Sequence, residues 1–165
     1  MKKNIAIYVV LFLAFGSTSY GQQPITKMQS LYIYNFIKNI KWQNVEAAYV
    51  VGVFGSDEVI TEIQNTIGVR SFNSKSIDVK KITTAAEASE CQIVFVTEKF
   101  NSTISKINTP SILKNTLLIS EKGQLDQGAS IAFLLDNSKL KFKINESVCK
   151  ASGLKISATL LSLSQ

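Results

Sequence analysis

Histidine is absent from this chain of 165 residues, and arginine occurs once, at Arg70. The absence of histidine excludes the Ser-His and Cys-His pairs of many hydrolases and a common metal ligand. A single arginine forms no cluster that would clamp a phosphate or a carboxylate. The acidic residues are scattered, with no spacing that predicts a paired acid/base site. The sequence therefore predicts a protein that is not an enzyme, with no catalytic residue, no metal site and no cofactor.

Cysteine is also scarce, with only Cys91 and Cys149 and no C-x-x-C motif. In an oxidising compartment the two residues can form a disulfide, which by chain entropy would contribute roughly 4 kcal/mol. Cys91, however, begins an apolar run, and a buried free cysteine commonly packs as a small hydrophobe. Spacing does not give the separation of the Cα atoms, so the bridge and the free thiols both remain open. A thiol-based redox protein is disfavoured, since no histidine flanks either cysteine.

Long apolar runs are missing except near the N-terminus. Residues 5–15 form an apolar run after Met1-Lys2-Lys3, and the small residues Ser19 and Gly21 stand where a signal peptidase cuts. This pattern predicts a signal peptide over residues 1–21 and an exported chain over 22–165, an N-terminal anchor being the alternative. The run is too short for a stable span, so we expect no stable membrane insertion after cleavage. Export argues against a nucleic-acid partner, although the net charge is +6.

Strand-like apolar runs alternate with helical patterns along the rest of the chain. Residues 28–40 have helical periodicity, with Gln29, Lys38 and Asn39 on the polar face. Further helices are predicted at 56–67, with Ser56 as N-cap, 85–90, 101–107, 146–152 and 157–164, and strands at 48–55, 76–82, 92–97 and 116–120. This alternation predicts the α/β class, as a single three-layer domain over residues 22–165 with a mixed, largely parallel sheet.

The C-terminal third of the chain predicts an antiparallel hairpin. Two strand patterns, 130–135 and 139–145, flank the turn-forming residues Asp136-Asn137-Ser138. Lys139, Lys141 and Lys143 alternate with apolar residues, as on a half-exposed edge strand. A solvated face explains these lysines, but an edge strand can also pair with a partner's strand.

Two aromatic residues are further candidates for a partner interface. Tyr34 lies in the first predicted helix, and Trp42 follows that helix directly. Exposed aromatic side chains are frequent anchors of protein interfaces. A half-buried cover over the core is the alternative interpretation of Trp42.

The predicted strand ends offer a ligand crevice. In open α/β sheets, ligands bind beyond the carboxyl ends of parallel strands, where this sequence has Ser56, Glu98, Lys99 and Glu121. Helix capping explains Ser56, and solvated turns explain the other three residues. A small-ligand binding module that uses this crevice is the alternative to a partner-binding protein.

Four stretches, taken in order, resemble the YfiR-like family of exported proteins, long known as a domain of unknown function. Residues 32–42 resemble the family's opening helix, which ends in a Y-x-x-W-P pattern. YVVGVFG at 49–55 and CQIVFVT at 91–97 are similar to two of its core strands. The last stretch joins the hairpin to ASGLKIS at 151–157, and its FKIN resembles the family's F-x-I-N. The resemblance extends from about residue 26 to residue 163.

The resemblance implies a periplasmic regulator without enzymatic activity. Such a protein binds the periplasmic part of a membrane-anchored signalling protein, of the diguanylate cyclase or sensor kinase type, and modulates its activity. The best understood members hold a diguanylate cyclase inactive, and both dimerisation and disulfide state affect this inhibition. The resemblance thus also leaves a homodimer open for this chain.

The chain departs from the family pattern at several positions. Gln43 replaces the usual proline after Trp42, Lys143 replaces an acid, and Ala132 replaces an asparagine. Cys149 stands where many members have an apolar residue. With two cysteines, the two-disulfide arrangement of the best-studied members cannot form. The resemblance therefore implies the fold and the general class of function, but neither a redox role nor the identity of the partner.

Overall fold

Helices and strands alternate along residues 25–165, the part of the chain that a computed structural model describes. The predicted signal peptide, residues 1–21, lies outside the described residues. The helices are α1 (Ile25–Asn39), α2 (Asp57–Ile67), α3 (Ala85–Ser89), α4 (Ile104–Ile107), α5 (Glu146–Ala151) and α6 (Ala158–Ser162). The strands are β1 (Ile40–Lys41), β2 (Ala48–Phe54), β3 (Ser71–Phe72), β4 (Lys75–Lys81), β5 (Ile93–Val96), β6 (Leu117–Ser120), β7 (Ile131–Asp136), β8 (Lys139–Ile144) and β9 (Lys155–Ile156).

Seven of these strands form one mixed sheet in the order β3-β4-β2-β5-β6-β7-β8. The five inner strands, from β4 to β7, are parallel, and the outer pairs β3-β4 and β7-β8 are antiparallel. The inner strands β5 and β6 are buried along their whole length, as their unbroken apolar sequences predict. The prediction of an α/β fold with a largely parallel sheet and a C-terminal hairpin is confirmed.

Helices cover both faces of this sheet. Ile33, Phe36 and Ile37 of α1 and Ile63 and Ile67 of α2 pack with one face. On the other face, Ala88 of α3 and Ile104 and Ile107 of α4 pack with Val94, Val96 and Leu118. These two clusters make the three layers that the alternation of strands and helices predicts.

The helix boundaries follow local capping. The Ser56 side chain accepts a hydrogen bond from the Val59 N–H, so Ser56 is the N-cap of α2, as predicted. Asp57 and Glu58 in the first turn of α2 complement the positive end of its dipole. Thr84 and Glu87 form a reciprocal capping box at α3.

Two local predictions need correction, and one strand pairing was not predicted. The single helix predicted at 101–107 is instead a 3₁₀ segment, Glu98–Thr103, followed by α4. The turn begins early because the Glu98 N–H donates to the Glu121 carboxylate and the Phe100 N–H donates to the Thr97 carbonyl. The two-residue strands β1 and β9, which pair antiparallel, were not predicted. Gln29, assigned to the polar face of α1, is buried with 1% of its surface exposed.

Cys91 and Cys149 are separate free thiols, both buried, so of the two possibilities left open by the sequence the structure has the free thiols. The physical reason is that the sheet separates the two cysteines. Cys91 packs in the cluster on the α3 and α4 side, whereas Cys149 packs in the cluster on the α1 side. The alternative interpretation, two cysteines packing as small hydrophobes, describes the structure.

Candidate functional site

Three aromatic rings form one wall of a groove beside the end of α1. The Trp42 and Tyr49 ring centroids are 5.7 Å apart, and those of Tyr49 and Phe72 are 6.0 Å apart. The antiparallel pairing of β1 with β9 places Lys41 and Lys155 next to each other. The groove has a volume of about 590 Å³. We call it the aromatic–basic groove, and its defining side chains are those of Lys38, Lys41, Trp42, Tyr49, Phe72 and Lys155.

Cationic side chains surround this groove without acidic partners. The Lys38 Nζ lies 4.8 Å from the centroid of the Tyr34 ring, and the Arg70 guanidinium lies 5.1 Å from it. Among residues 25–165, the ion pairs that form involve other lysines, and no carboxylate lines the groove. The cations Lys38, Lys41, Arg70 and Lys155 therefore give this surface a positive potential.

The two predicted aromatic anchors lie at this surface and are both half-buried. The Tyr34 hydroxyl donates to the Ser71 carbonyl at 3.2 Å, which holds the ring beside the groove. The Trp42 Nε1–H donates to the Gln92 carbonyl at 3.3 Å, and the indole packs on Tyr49. Trp42 thus covers part of the core and also presents a face to the groove. Its partner contact stays a prediction.

Sequence reasoning missed the lysines of the groove. Lys155 is far from Lys41 in sequence, and only the β1-β9 pairing brings the two together. Strands of two residues carry no detectable periodicity, so no pattern signals this pairing. The adjacency of Lys41 and Trp42 is the one signal that was available.

The lysines of the hairpin lie on the outermost strand of the sheet. Lys139 and Lys143 are exposed, and Lys141 forms an ion pair with Asp136 at 2.6 Å. Two outer carbonyls of β8 are already bonded: the Leu140 carbonyl accepts from the Tyr32 hydroxyl, and the Phe142 carbonyl accepts from the Gln165 N–H. The Ile144 N–H donates to the Ser164 hydroxyl. These bonds leave fewer backbone groups free for strand pairing, and pairing of β8 with a partner's strand stays a prediction.

At the predicted strand-end crevice, the ends of β2 and β5 are joined by hydrogen bonds. The Thr97 N–H and hydroxyl both donate to the Phe54 carbonyl, at 3.0 and 2.9 Å. Ser56 serves as the cap of α2, and Lys99 is exposed. Glu98 and Glu121 do come together, since the Glu121 carboxylate accepts from the Glu98 N–H at 2.7 Å. Glu98 and Glu121 line one cavity together, and a ligand at the four residues stays a prediction.

That cavity lies between the start of α1 and the β7-β8 hairpin and has a volume of about 600 Å³. We call it the hairpin cavity, and its principal lining residues are Gln29, Glu98, Glu121, Phe133, Leu135 and Leu140. The Gln29 Oε1 atom is buried and has no hydrogen-bond partner among the described residues. A buried acceptor without a donor typically costs about 1–3 kcal/mol. Gln29 was not identified from the sequence, because a glutamine in an amphipathic helix usually faces solvent.

Two features are absent from residues 25–165. No three cysteine, aspartate or glutamate side chains come together in a way that would hold a metal ion. None of the helices there combines the length and the apolar character that crossing a bilayer requires.

A model of the YfiR/HmsC-like family matches residues 26–165, nearly the whole chain. The chain belongs to the YfiR/HmsC-like family. The family is regulatory and non-catalytic, and membership suggests a periplasmic regulator of cyclic di-GMP signalling. No curated protein matches the chain. For a YfiR/HmsC-like protein, the aromatic–basic groove is a surface of interest because it combines aromatic side chains with cations that lack acidic partners.

Proposed function

We propose that this protein binds the periplasmic part of a membrane-anchored signalling protein, of the diguanylate cyclase or sensor kinase type, and modulates its activity. Membership of the YfiR/HmsC-like family supports the general class of this function. The observation that carries the proposed interface is the aromatic–basic groove, where Lys38, Lys41 and Lys155 surround three packed aromatic rings.

The chemistry of the groove indicates an acidic partner segment. When one protein surface is positive and the surface of its partner is negative, the two proteins associate faster, and partners with the wrong charge are excluded. Tyr34 and Trp42 provide large, nearly rigid contact areas, and aromatic side chains dominate the binding energy of many interfaces. Burial raises the pKa of Tyr49, so its hydroxyl stays protonated at physiological pH. The groove thus offers cations and aromatic faces together.

Regulation requires that the protein distinguish two states of its partner. Only a difference in affinity between two conformations of the receptor shifts their equilibrium. We infer that the acidic segment is accessible to the groove in one conformation of the receptor and not in the other. Lys139 and Lys143 on β8 add a second cationic surface that contacts the receptor through side chains.

The test is a crosslinked affinity capture in intact cells, with the exported chain tagged and its partners identified by mass spectrometry. The wild-type chain is compared with Lys38→Glu/Lys41→Glu, and the matched control is Lys106→Glu/Lys114→Glu. Lys106 and Lys114 are exposed residues outside the groove. Melting temperatures of all three chains exclude a folding defect.

We expect one membrane cyclase or kinase with the wild type and the control, and its loss with the groove variant. The same receptor captured equally by all three chains would reject the groove as the interface. Capture of only a second copy of the chain would replace the receptor model with a homodimer. Recovery of no protein, with export confirmed, would contradict stable partner binding.

A further inference from the structure

The buried amide of Gln29 lies at the hairpin cavity without an internal partner for its oxygen. Gln29 has 1% of its surface exposed, and its Oε1 atom accepts no hydrogen bond from the described residues. Its neighbour on α1, Ser30, is equally buried, but the Ser30 hydroxyl donates to the Thr26 carbonyl at 2.7 Å. Buried polar groups are nearly always satisfied, so an unpaired amide oxygen beside a cavity indicates a donor that residues 25–165 do not supply.

The cavity has the size and the walls of a small-molecule site. Its volume of about 600 Å³ lies within the usual range of ligand pockets, roughly 300–1,000 Å³. Phe133 and Leu140 supply buried apolar wall. Ile25 and Leu135 also line it, and they are two of the few large apolar side chains that are exposed, at 44% and 56%. A ligand in the cavity would remove these apolar surfaces from water.

The charges at the cavity compensate one another. Lys122 pairs with Glu98 at 2.9 Å, and the Glu121 carboxylate accepts the Glu98 N–H at 2.7 Å. Lys143 adds a second cation at the rim, so two acids face two lysines. This balance gives no strong preference for an anion or a cation, and it favours an uncharged ligand.

We propose that the hairpin cavity binds an uncharged small molecule with an apolar body and one O–H or N–H donor. The apolar body lies against Phe133, Leu135 and Leu140, and the donor bonds to the Gln29 Oε1 atom once that side chain turns toward the cavity. This site lies at the start of α1, whereas the aromatic–basic groove lies beside its end, at Lys38. Ligand binding and receptor binding therefore use different surfaces, and a negative result for one proposal does not affect the other.

The test uses two probes that differ in one hydrogen-bond donor. 4-Propylphenol carries the donor, and 4-propylanisole has the same apolar body without it. Binding to the exported chain is measured by calorimetry and by the shift of the Gln29 side-chain amide resonance in a nitrogen-15 NMR spectrum. That resonance is assigned by its absence from Gln29→Leu.

We expect the phenol to bind about three- to tenfold more tightly than the anisole, the range that one hydrogen bond provides. Gln29→Leu abolishes this preference while leaving the anisole bound. Leu135→Arg, a change at an exposed side chain, places a charged group in the cavity and weakens both probes. Val69→Arg, at another exposed apolar residue away from the cavity, leaves binding unchanged.

Three results would overturn the proposal. The first is no binding of either probe to the wild type. The second is equal affinity for the two probes, which would show that the phenol hydroxyl does not bond to Gln29. The third is binding that Leu135→Arg does not weaken, which places the probes elsewhere on the protein.

Discussion

The two cysteines show how single residues decide between competing interpretations. Burial raises the pKa of both the Cys91 and the Cys149 thiols to about 11. A raised pKa leaves little of the reactive thiolate at neutral pH, and burial also blocks access. A redox function through either thiol is therefore unfavourable in the folded protein.

The first prediction is that neither cysteine reacts quickly with iodoacetamide in the native state. In denaturant, where burial is lost, we expect both thiols to be modified fully. Intact mass spectrometry counts the modified groups under the two conditions. Rapid native labelling, or a native mass lower by two hydrogens that reductant restores, would contradict the assignment of two buried free thiols.

Gly52 is required by the packing of Cys91. A Cβ atom at Gly52 would lie 2.7 Å from the Cys91 Sγ and 2.8 Å from the Ile82 Cδ1. We predict that Gly52→Ala lowers the free energy of unfolding by about 1–3 kcal/mol, because the added methyl overpacks this cluster. Chemical denaturation measures the change.

The control for Gly52→Ala is a double-mutant cycle. Cys91→Ala alone leaves a small cavity, and it removes the sulfur that the new methyl meets. The double variant should therefore lose less stability than the sum of the two single variants. Simple additivity would mean that Cys91 does not restrict residue 52.

At the scale of elements, α3 depends on its cap. The Glu87 carboxylate accepts hydrogen bonds from the backbone N–H of Thr83, from the Thr84 hydroxyl and from the Thr84 N–H. These bonds lower the pKa of Glu87 from 4.5 to about 2. Because the pKa is lower in the folded protein, the ionised Glu87 stabilises the fold at pH values above its pKa in the unfolded chain. This contribution is lost as the pH falls from about 4.5 to about 2.

We predict that the Glu87 carboxyl titrates with a midpoint near pH 2 in carbon-13 NMR of the folded protein. Thr84→Ala removes a hydroxyl donor, so the midpoint should rise toward the ordinary value. Thr159→Ala is the control, since Thr159 lies in α6 and is not among the hydrogen-bond donors to Glu87, so the midpoint should stay unchanged. A Glu87 midpoint near pH 4 in the wild type would show that the capping box does not form in solution.

The last two residues protect the outer edge of β8. The Gln165 N–H donates to the Phe142 carbonyl, and the Ser164 hydroxyl accepts from the Ile144 N–H. We predict that a chain ending at Leu163 associates more strongly than the full chain, because these edge groups become available for strand pairing. Sedimentation velocity over a range of concentrations measures this. Gln165→Ala keeps the backbone donor and should behave as the wild type, and an unchanged association of the shortened chain would argue against an edge role.

At the scale of the whole molecule, the sequence predicts the sheet well because its inner strands are strongly apolar. The runs at β2, β5 and β6 contain β-branched residues, which favour strands. Their continuous apolar sequences also predict burial, and these strands are largely buried in the structure. The sites are harder to predict because they depend on contacts between distant segments. Lys155 reaches Lys41 only through two-residue strands, and Gln29 is buried although its neighbours in sequence indicate a polar face.

The central proposal, that this YfiR/HmsC-like protein regulates a diguanylate cyclase through the aromatic–basic groove, is tested most directly by the cellular level of cyclic di-GMP. The compound is measured in cells that lack the protein and in cells that regain the wild type, Lys38→Glu/Lys41→Glu or Lys106→Glu/Lys114→Glu. We expect loss of the protein to change the level, the wild type and the control to restore it, and the groove variant to fail. An unchanged level in cells that lack the protein, with export of the wild type verified in parallel, would contradict regulation of a diguanylate cyclase.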